Sequence, residues 1–206
     1  MRKIIVYALL MLPCFVYAQI GIKAGLNFAN VSNASSINNS SRSGFMFGLF
    51  LEPSTKRIIS SKTEIIYSRQ GYNFKNGTTT GNVNLDYIII PQGMCINITR
   101  FVQLQIGAQI AFLLNAKADT TTSSGSSNPY SGIMSFYNKF DYGFGLGAEI
   151  HPIKGLLIGA RYNISLANLY SSAQSGQMPT FSSADAKNNV VQIFAGWKFG
   201  GYKSKK

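Results

Sequence analysis

Residues 140–169 read FDYGFGLGAEIHPIKGLLIGARYNISLANL. From Phe140 to Ile150 every second residue is apolar: Phe140, Tyr142, Phe144, Leu146, Ala148 and Ile150. Asp141, Gly143, Gly145, Gly147 and Glu149 lie between them. After the turn His151-Pro-Ile-Lys-Gly155 the alternation restarts, with Leu156, Ile158, Ala160, Tyr162, Ile164 and Leu166 on one face. Leu157, Gly159, Arg161, Asn163, Ser165 and Ala167 share the other. Successive side chains on a strand point to opposite faces. The stretch therefore reads as a hairpin of two long strands, each with one greasy face and one small or polar face. That pattern suits the wall of a barrel in a lipid membrane.

The same period recurs outward from this hairpin. Toward the N-terminus, Val102 to Asn115 alternates without a break, with Val102, Leu104, Ile106, Ala108, Ile110, Phe112 and Leu114 against Gln103, Gln105, Gly107, Gln109, Ala111, Leu113 and Asn115. Val83 to Ile98 is a further strand, with Val83, Leu85, Tyr87 and Ile89 expected outward. Pro91 lies inside it, and because proline cannot donate to the ladder a bulge or register change is expected there. Ile58 to Asn73, Gly44 to Glu52 and Ile20 to Val31 complete the N-terminal half, and Val190 to Phe199 closes the chain. Ser32–Ser43, Phe74–Asn82, Asp119–Ser135 and Tyr170–Lys187 read as loops by their Ser, Thr, Asn and Gly content. Between them come short turns at Pro53–Arg57, Thr99–Phe101 and His151–Gly155.

Eight strands joined alternately by long and short connections predict an all-β fold. It is an eight-stranded antiparallel up-and-down transmembrane β-barrel with short periplasmic turns and longer external loops. Closure removes the sheet edges. Strands of about 9–11 residues cross the hydrocarbon when tilted, so the longer ones are expected to project beyond it.

The first residues stand apart. Arg2-Lys3, the apolar run Ile4–Val16 and Val16-Tyr17-Ala18 before Gln19 have the form of a secretory signal peptide over residues 1–18. A lipid anchor at Cys14 is the alternative, but Leu12-Pro13 lacks the small residue such processing wants. The barrel domain is assigned to 19–200 and a basic periplasmic tail to 201–206. Cleavage removes Cys14 and leaves Cys95 alone, read as a small apolar wall residue.

The 206 residues carry a net charge of +12, or +10 without Arg2 and Lys3, yet only 13% are charged. That scarcity and the lack of a basic stripe with interleaved aromatics exclude a nucleic-acid partner. A soluble β-protein normally shows roughly 25–35% charged exterior, so the greasy face is assigned to lipid and the Gly/Asn/Gln face to the lumen. Nine charges then fall inside: Lys23, Glu52, Lys62, Glu64, Asp86, Asp141, Glu149, Arg161 and Lys198. Charges away from water require partners, so a salt-bridged plug is expected. Outward aromatics are expected to form girdles: Phe28, Phe45, Tyr67, Phe112, Phe140 and Tyr142 toward the external rim, and Phe101, Trp197 and Phe199 toward the periplasmic one. Lys56, Arg57, Arg100, Lys154, Lys203, Lys205 and Lys206 place positive charge at the periplasmic end, within reach of phospholipid headgroups or simply of water.

Several segments resemble the PorT-like outer-membrane β-barrel family of Bacteroidetes. Gly21-Ile-Lys-Ala-Gly-Leu-Asn27 is similar to that family's opening strand, and Tyr87-Ile-Ile-Ile-Pro91 to its mid-chain Tyr-x-x-x-Pro segment. Gly107–Ala116 and Phe140–Phe144 resemble its central strands, and Gly159-Ala-Arg-Tyr-Asn163 its late strand. The resemblance implies an outer-membrane location. Through the family's named member, it also implies a link to protein secretion.

No catalytic, cofactor or metal site is expected. His151 is the chain's single histidine and opens a turn, whereas a metal site gathers several ligands and a Ser-His-Asp site needs convergent groups. Gly143-Phe-Gly-Leu-Gly147 lacks the spacing and the strand-to-helix switch of a dinucleotide fingerprint and reads as lumen spacers. Asn33-Ala-Ser35 and Asn39-Ser-Ser41 match a glycosylation pattern that carries no weight in a bacterial chain. The leading functional expectation is a small non-enzymatic barrel, monomeric in the outer-membrane lipids. It would be structural, a surface contact, or an accessory to a secretion assembly, meeting envelope or secretion proteins through its loops. A narrow channel for ions or small solutes is the alternative. A lipid-acting enzyme is the third reading, and it lacks a catalytic constellation.

Overall fold

The computed structural model describes residues 18–33, 38–53, 57–76, 79–122, 127–130, 133–171 and 185–199. The signal peptide and the basic tail assigned from sequence lie outside these, apart from Ala18. The strands are β1 (Ala18–Ser32), β2 (Asn38–Pro53), β3 (Ile59–Asn76), β4 (Thr79–Asn97), β5 (Val102–Thr122), β6 (Ser127–Tyr130), β7 (Phe140–Ile150), β8 (Leu156–Ser165) and β9 (Lys187–Lys198). All pair antiparallel in the order β4-β3-β2-β1-β9-β8-β7-β5, and β4 pairs with β5 to close the ring. Eight strands thus make the barrel, as the alternation predicts. The ninth, β6, is a short strand laid on the external end of β5.

The hydrophobic period determines which face is which. Leu146, Ile193 and Phe144 are 64%, 51% and 55% exposed, while Glu52 and Gln103 are fully buried. The apolar face therefore looks out and the polar face fills the interior, the inverse of a soluble barrel. The interior is crowded. A Cβ on Gly145 would lie 2.6 Å from Asn163 Oδ1, and one on Gly147 3.2 Å from the Arg161 Cβ. These glycines leave room for the arginine stem, consistent with an eight-stranded interior just wide enough for side chains.

Four sequence expectations are corrected. The loop assigned to Phe74–Asn82 is strand: β3 runs to Asn76 and β4 starts at Thr79, in one unshifted register from Ile59↔Ile96 to Asn76↔Thr79. Its Thr/Gly content suggested a loop, but threonine favours strands, and Gly81 gives space to the Phe74 ring, 2.5 Å from where its Cβ would be. Likewise β5 continues to Thr122 and β2 begins at Asn38, so the expected loops there are shortened. Val83, Leu85, Tyr87 and Ile89 point inward, not outward; all are buried. Asn84 and Asp86 alternate with these residues, so the two faces are distinct, but toward this end of the barrel it is the apolar face that packs into the interior and the polar face that looks out. Pro91 causes no register shift: Thr63↔Gln92 and Ile66↔Ile89 flank a gap in the ladder, with Pro91 facing Gln109. The missing N–H interrupts the bonding without moving the strand. The register shift instead lies at Asp86/Tyr87, opposite Leu113 and Asn115.

Candidate functional site in the barrel lumen

The periplasmic half of the lumen is an ion-pair network built from inward positions. Glu64 on β3 accepts from Lys23 Nζ at 2.8 Å, from Arg161 Nη2 at 2.7 Å and from Arg161 Nη1 at 3.0 Å. Lys62, two residues earlier on the same face, reaches Glu149 at 2.7 Å and Glu52 at 3.3 Å. Glu52 also meets Lys198 at 3.0 Å. Neutral amides extend the chain: Arg161 Nη2 donates to Gln105 Oε1, Gln105 to Gln103, and Gln103 Nε2 to Glu52 Oε1 at 2.6 Å. Aromatic faces cover the cations, with Lys23 Nζ 3.8 Å from the Phe194 ring centre and Lys62 Nζ 4.7 Å from that of Phe50.

These bonds cross the barrel. β3 and β8 are four strands apart in either direction around the ring, so Arg161–Glu64 spans the lumen. The charges pair across the bore; they do not line it. Between Lys62, Glu64, Gln105, Arg161 and Asn163 lies a cavity of about 20 Å³, room for about one water.

A middle layer of amides follows. Asn27 donates to Ser68 Oγ at 2.9 Å and to the carbonyls of Phe45 and Arg69, while Gln192 donates to Asn27 and Asn188 to Gln70. The external half is different in kind. Tyr72, Phe74, Val83, Leu85, Tyr87, Leu113, Ala116 and Ala118 pack against Ile133, Tyr137, Leu169, Tyr170 and Ala186. Tyr72 OH lies 2.9 Å from Tyr137 OH and 2.6 Å from Tyr170 OH. This tyrosine triad ties the 3-10 turn Ile133–Phe136 and the chain after β8 to the β3 wall. The lumen is thus filled by ion pairs below and by an aromatic cluster above.

A family model described as "Outer membrane protein beta-barrel domain" matches residues 15–171. The chain belongs to this family. Its place is the cell outer membrane, and its greasy wall faces the lipids there. Among solved structures the barrel is similar to Ail, the attachment invasion locus protein of Yersinia pestis. Identity to Ail is 17%, coverage is 89% of this chain and 100% of that one, and the TM-score is 0.51. It is also similar to Neisserial surface protein A at 13% identity, covering 87% and 97% of the two chains, with a TM-score of 0.49. Likeness at these identities concerns the fold. No curated protein sequence matches the chain.

In this outer-membrane barrel, seven of the nine charges placed inside by sequence are in the lumen network: Lys23, Glu52, Lys62, Glu64, Glu149, Arg161 and Lys198. Asp141 also points inward but sits apart near the external mouth, accepting from Ser165 Oγ. Asp86 is a correction. It follows Leu85 and precedes Tyr87, both inward, and so lies on the outer face, where Arg69 Nε bonds it at 2.7 Å. The assignment failed because the phase of β4 was inverted. Phe28, Phe45, Phe101, Phe112, Phe140, Tyr142, Trp197 and Phe199 are exposed on the outer wall, and Tyr67 is half-buried beside Phe47. Phe45, Phe47 and Tyr67 form one ring cluster, Phe112, Phe140 and Tyr142 another.

His151 lies at the periplasmic edge of the network, its Nε2 3.8 Å from Glu149 Oε2; burial pushes its imidazole below the usual histidine range. The tyrosine triad was not found by the sequence reading, although Tyr72 and Phe74 continue the phase of Ser68 and Gln70 and so mark the inward face. The amide chain through Gln103 and Gln105 was placed inside but not connected to the carboxylates.

Proposed function

We propose that this protein is a closed, non-enzymatic barrel of the outer membrane, acting through its external segments and not through its bore. One observation carries the reading: cross-lumen ion pairs and an aromatic cluster occupy successive levels of the interior, with space for about one water between the charges. On this reading the charged residues are a plug and the outward aromatics are membrane girdles. Residues 1–18 are the signal peptide that directs export. The sequence likeness to PorT-like barrels of Bacteroidetes supports the finer form, a monomeric accessory that meets envelope or secretion proteins through its loops.

The test is single-channel recording of the refolded mature chain in a planar bilayer. A folded barrel that stays silent is the expected result. Steady openings would replace the plug with the narrow-channel reading, in which the same charges line a water path. Crosslinking in native membranes tests the accessory form, which predicts repeated recovery of a specific envelope protein; recovery of none would remove it.

A further inference from the structure

The outer wall of β2–β5 changes character at one level. Phe47, Tyr67, Ile88 and Phe112 face one another in a continuous apolar row. The next outward row is Arg69, Asp86 and Asn115, with Phe45 beneath the Arg69 guanidinium at 5.2 Å. Beyond it come Asn84 and Lys117, then Ser40, Asn73, Asn82 and Asp119, then Lys75 and Thr80. A charged residue facing hydrocarbon is costly, so the hydrocarbon ends between Tyr67 and Arg69. From Arg69 to Lys75 the strands continue for about 20 Å of chain beyond that boundary. On the opposite wall apolar side chains such as Phe140, Tyr142, Ile164 and Leu166 run to the strand ends.

Among the described residues, the projecting sheet is covered on one face and free on the other. Its inner side, with Tyr72, Phe74, Val83 and Leu85, is covered by Ile133, Tyr137, Leu169 and Tyr170. Its outer side presents four cations, Arg42, Arg69, Lys75 and Lys117, against two acids, Asp86 and Asp119. Arg42 Nε donates to Asn84 Oδ1 at 2.7 Å and Nη1 to Asn73 Oδ1 at 3.0 Å, which fixes the guanidinium over the amide rows. Lys75 and Lys117 are exposed. A guanidinium has five N–H donors, and the bonds named for Arg42 and Arg69 occupy only part of each fork.

We propose that this outer face docks the phosphorylated sugar headgroup of a glycolipid in the outer leaflet. The face is continuous with the lipid-covered wall and starts where the hydrocarbon stops, the depth at which a headgroup lies. Arginine and lysine match phosphate, and the asparagine rows supply donors and acceptors for sugar hydroxyls. The excess of cations sets the sign of the partner.

The test is native mass spectrometry of the barrel in zwitterionic micelles, titrated with bisphosphorylated lipid A and with the same lipid after dephosphorylation. The bisphosphorylated form is expected to bind more tightly, and added salt should weaken it. A basic residue near an anionic surface is worth roughly fivefold in affinity, so Lys75→Gln/Lys117→Gln lowers binding roughly 20- to 30-fold. Neither lysine sits in the core, and heat-modifiable electrophoretic mobility checks that the variant is folded. Lys154→Gln, at the periplasmic turn, leaves binding unchanged. Equal binding of the two lipids, or an unaffected double variant, overturns the proposal. Tighter binding of a soluble sulfated sugar than of lipid A, lost in the same variant, overturns the lipid assignment in favour of a soluble polyanion.

Discussion

Glu64→Gln tests the lumen network most directly. Glu64 is 1% exposed and serves two cations, Lys23 and Arg161. The substitution keeps the shape and removes the charge, leaving Lys23 and Arg161 buried with only amide partners. Removing one member of a buried ion pair costs about 3–5 kcal/mol. At about 1.4 kcal/mol per tenfold, that is more than a hundredfold in the ratio of folded to unfolded barrel. Glu149→Gln is the internal comparison. Its cation, Lys62, retains Glu52 at 3.3 Å, so only a charged hydrogen bond is lost, about 1.5–3 kcal/mol. The assay is a urea titration of the barrel refolded in zwitterionic vesicles, read by fluorescence of Trp197, the single tryptophan, on the lipid-facing side of β9. The expected order is wild type, then Glu149→Gln, then Glu64→Gln. A Glu64→Gln cost below about 1 kcal/mol, or one smaller than that of Glu149→Gln, would mean that water already solvates these charges. The dry-plug reasoning would then fail.

Other outcomes follow from the same geometry. Tyr72→Phe removes the hydroxyl that meets both Tyr137 and Tyr170; it should cost about 1–3 kcal/mol and speed amide exchange in 133–137 and 169–171, and unchanged exchange there would show that packing alone holds the cluster. Ile193→Arg, on the outer face of β9, should cost about 2–4 kcal/mol if it lies near the bilayer midplane; a neutral result in vesicles would contradict lipid contact at that position. The buried Cys95 thiol should resist maleimide in the folded barrel and react after urea unfolding, and fast labelling of the folded form would indicate an open bore. His151, held neutral by burial, should titrate by NMR below its ordinary value of 6.5; a midpoint above that would mean that Glu149 outweighs desolvation.

The barrel was legible because strand periodicity is a property of every residue, repeated eight times. Where one face is greasy and the other polar, as in β5 and β7, both architecture and orientation could be read. In the structure Glu149 on β7 and Arg161 on β8 lie inside, the latter beside Gly145 and Gly147. Periodicity gives two faces but does not say which of them is inside. On β4 Val83, Leu85 and Tyr87 alternate with Asn84 and Asp86, yet this stretch lies beyond the hydrocarbon, where the apolar face packs inward and the polar face meets solvent. The phase was inverted there, and Asp86 moved with it. Composition misled at the external ends for a related reason: Thr, Asn and Gly suggested loops at 74–82, whereas the aromatics Tyr72 and Phe74 already announced a second buried layer.

That second layer explains why β2–β5 are long. A strand leaving the hydrocarbon must satisfy its backbone by pairing and bury at least one face to persist. The aromatic cluster supplies the buried face, through Tyr72, Phe74, Val83 and Leu85 against Tyr137 and Tyr170. The ladder from Arg69↔Asp86 to Asn76↔Thr79 supplies the pairing. The outer face of the extension is then released from both lipid and core, and its residues are Asn, Ser, Thr, Lys and Arg with two Asp. Closure of the mouth and presentation of a polar outer wall are therefore two sides of one sheet. Loosening the cluster should weaken both, so Tyr72→Phe should lower glycolipid affinity as well as stability, although Tyr72 touches no lipid. The same lipid A titration reads this coupling. Full affinity in a Tyr72→Phe barrel whose 133–137 segment exchanges freely would show that the outer face is held by its strand pairing alone.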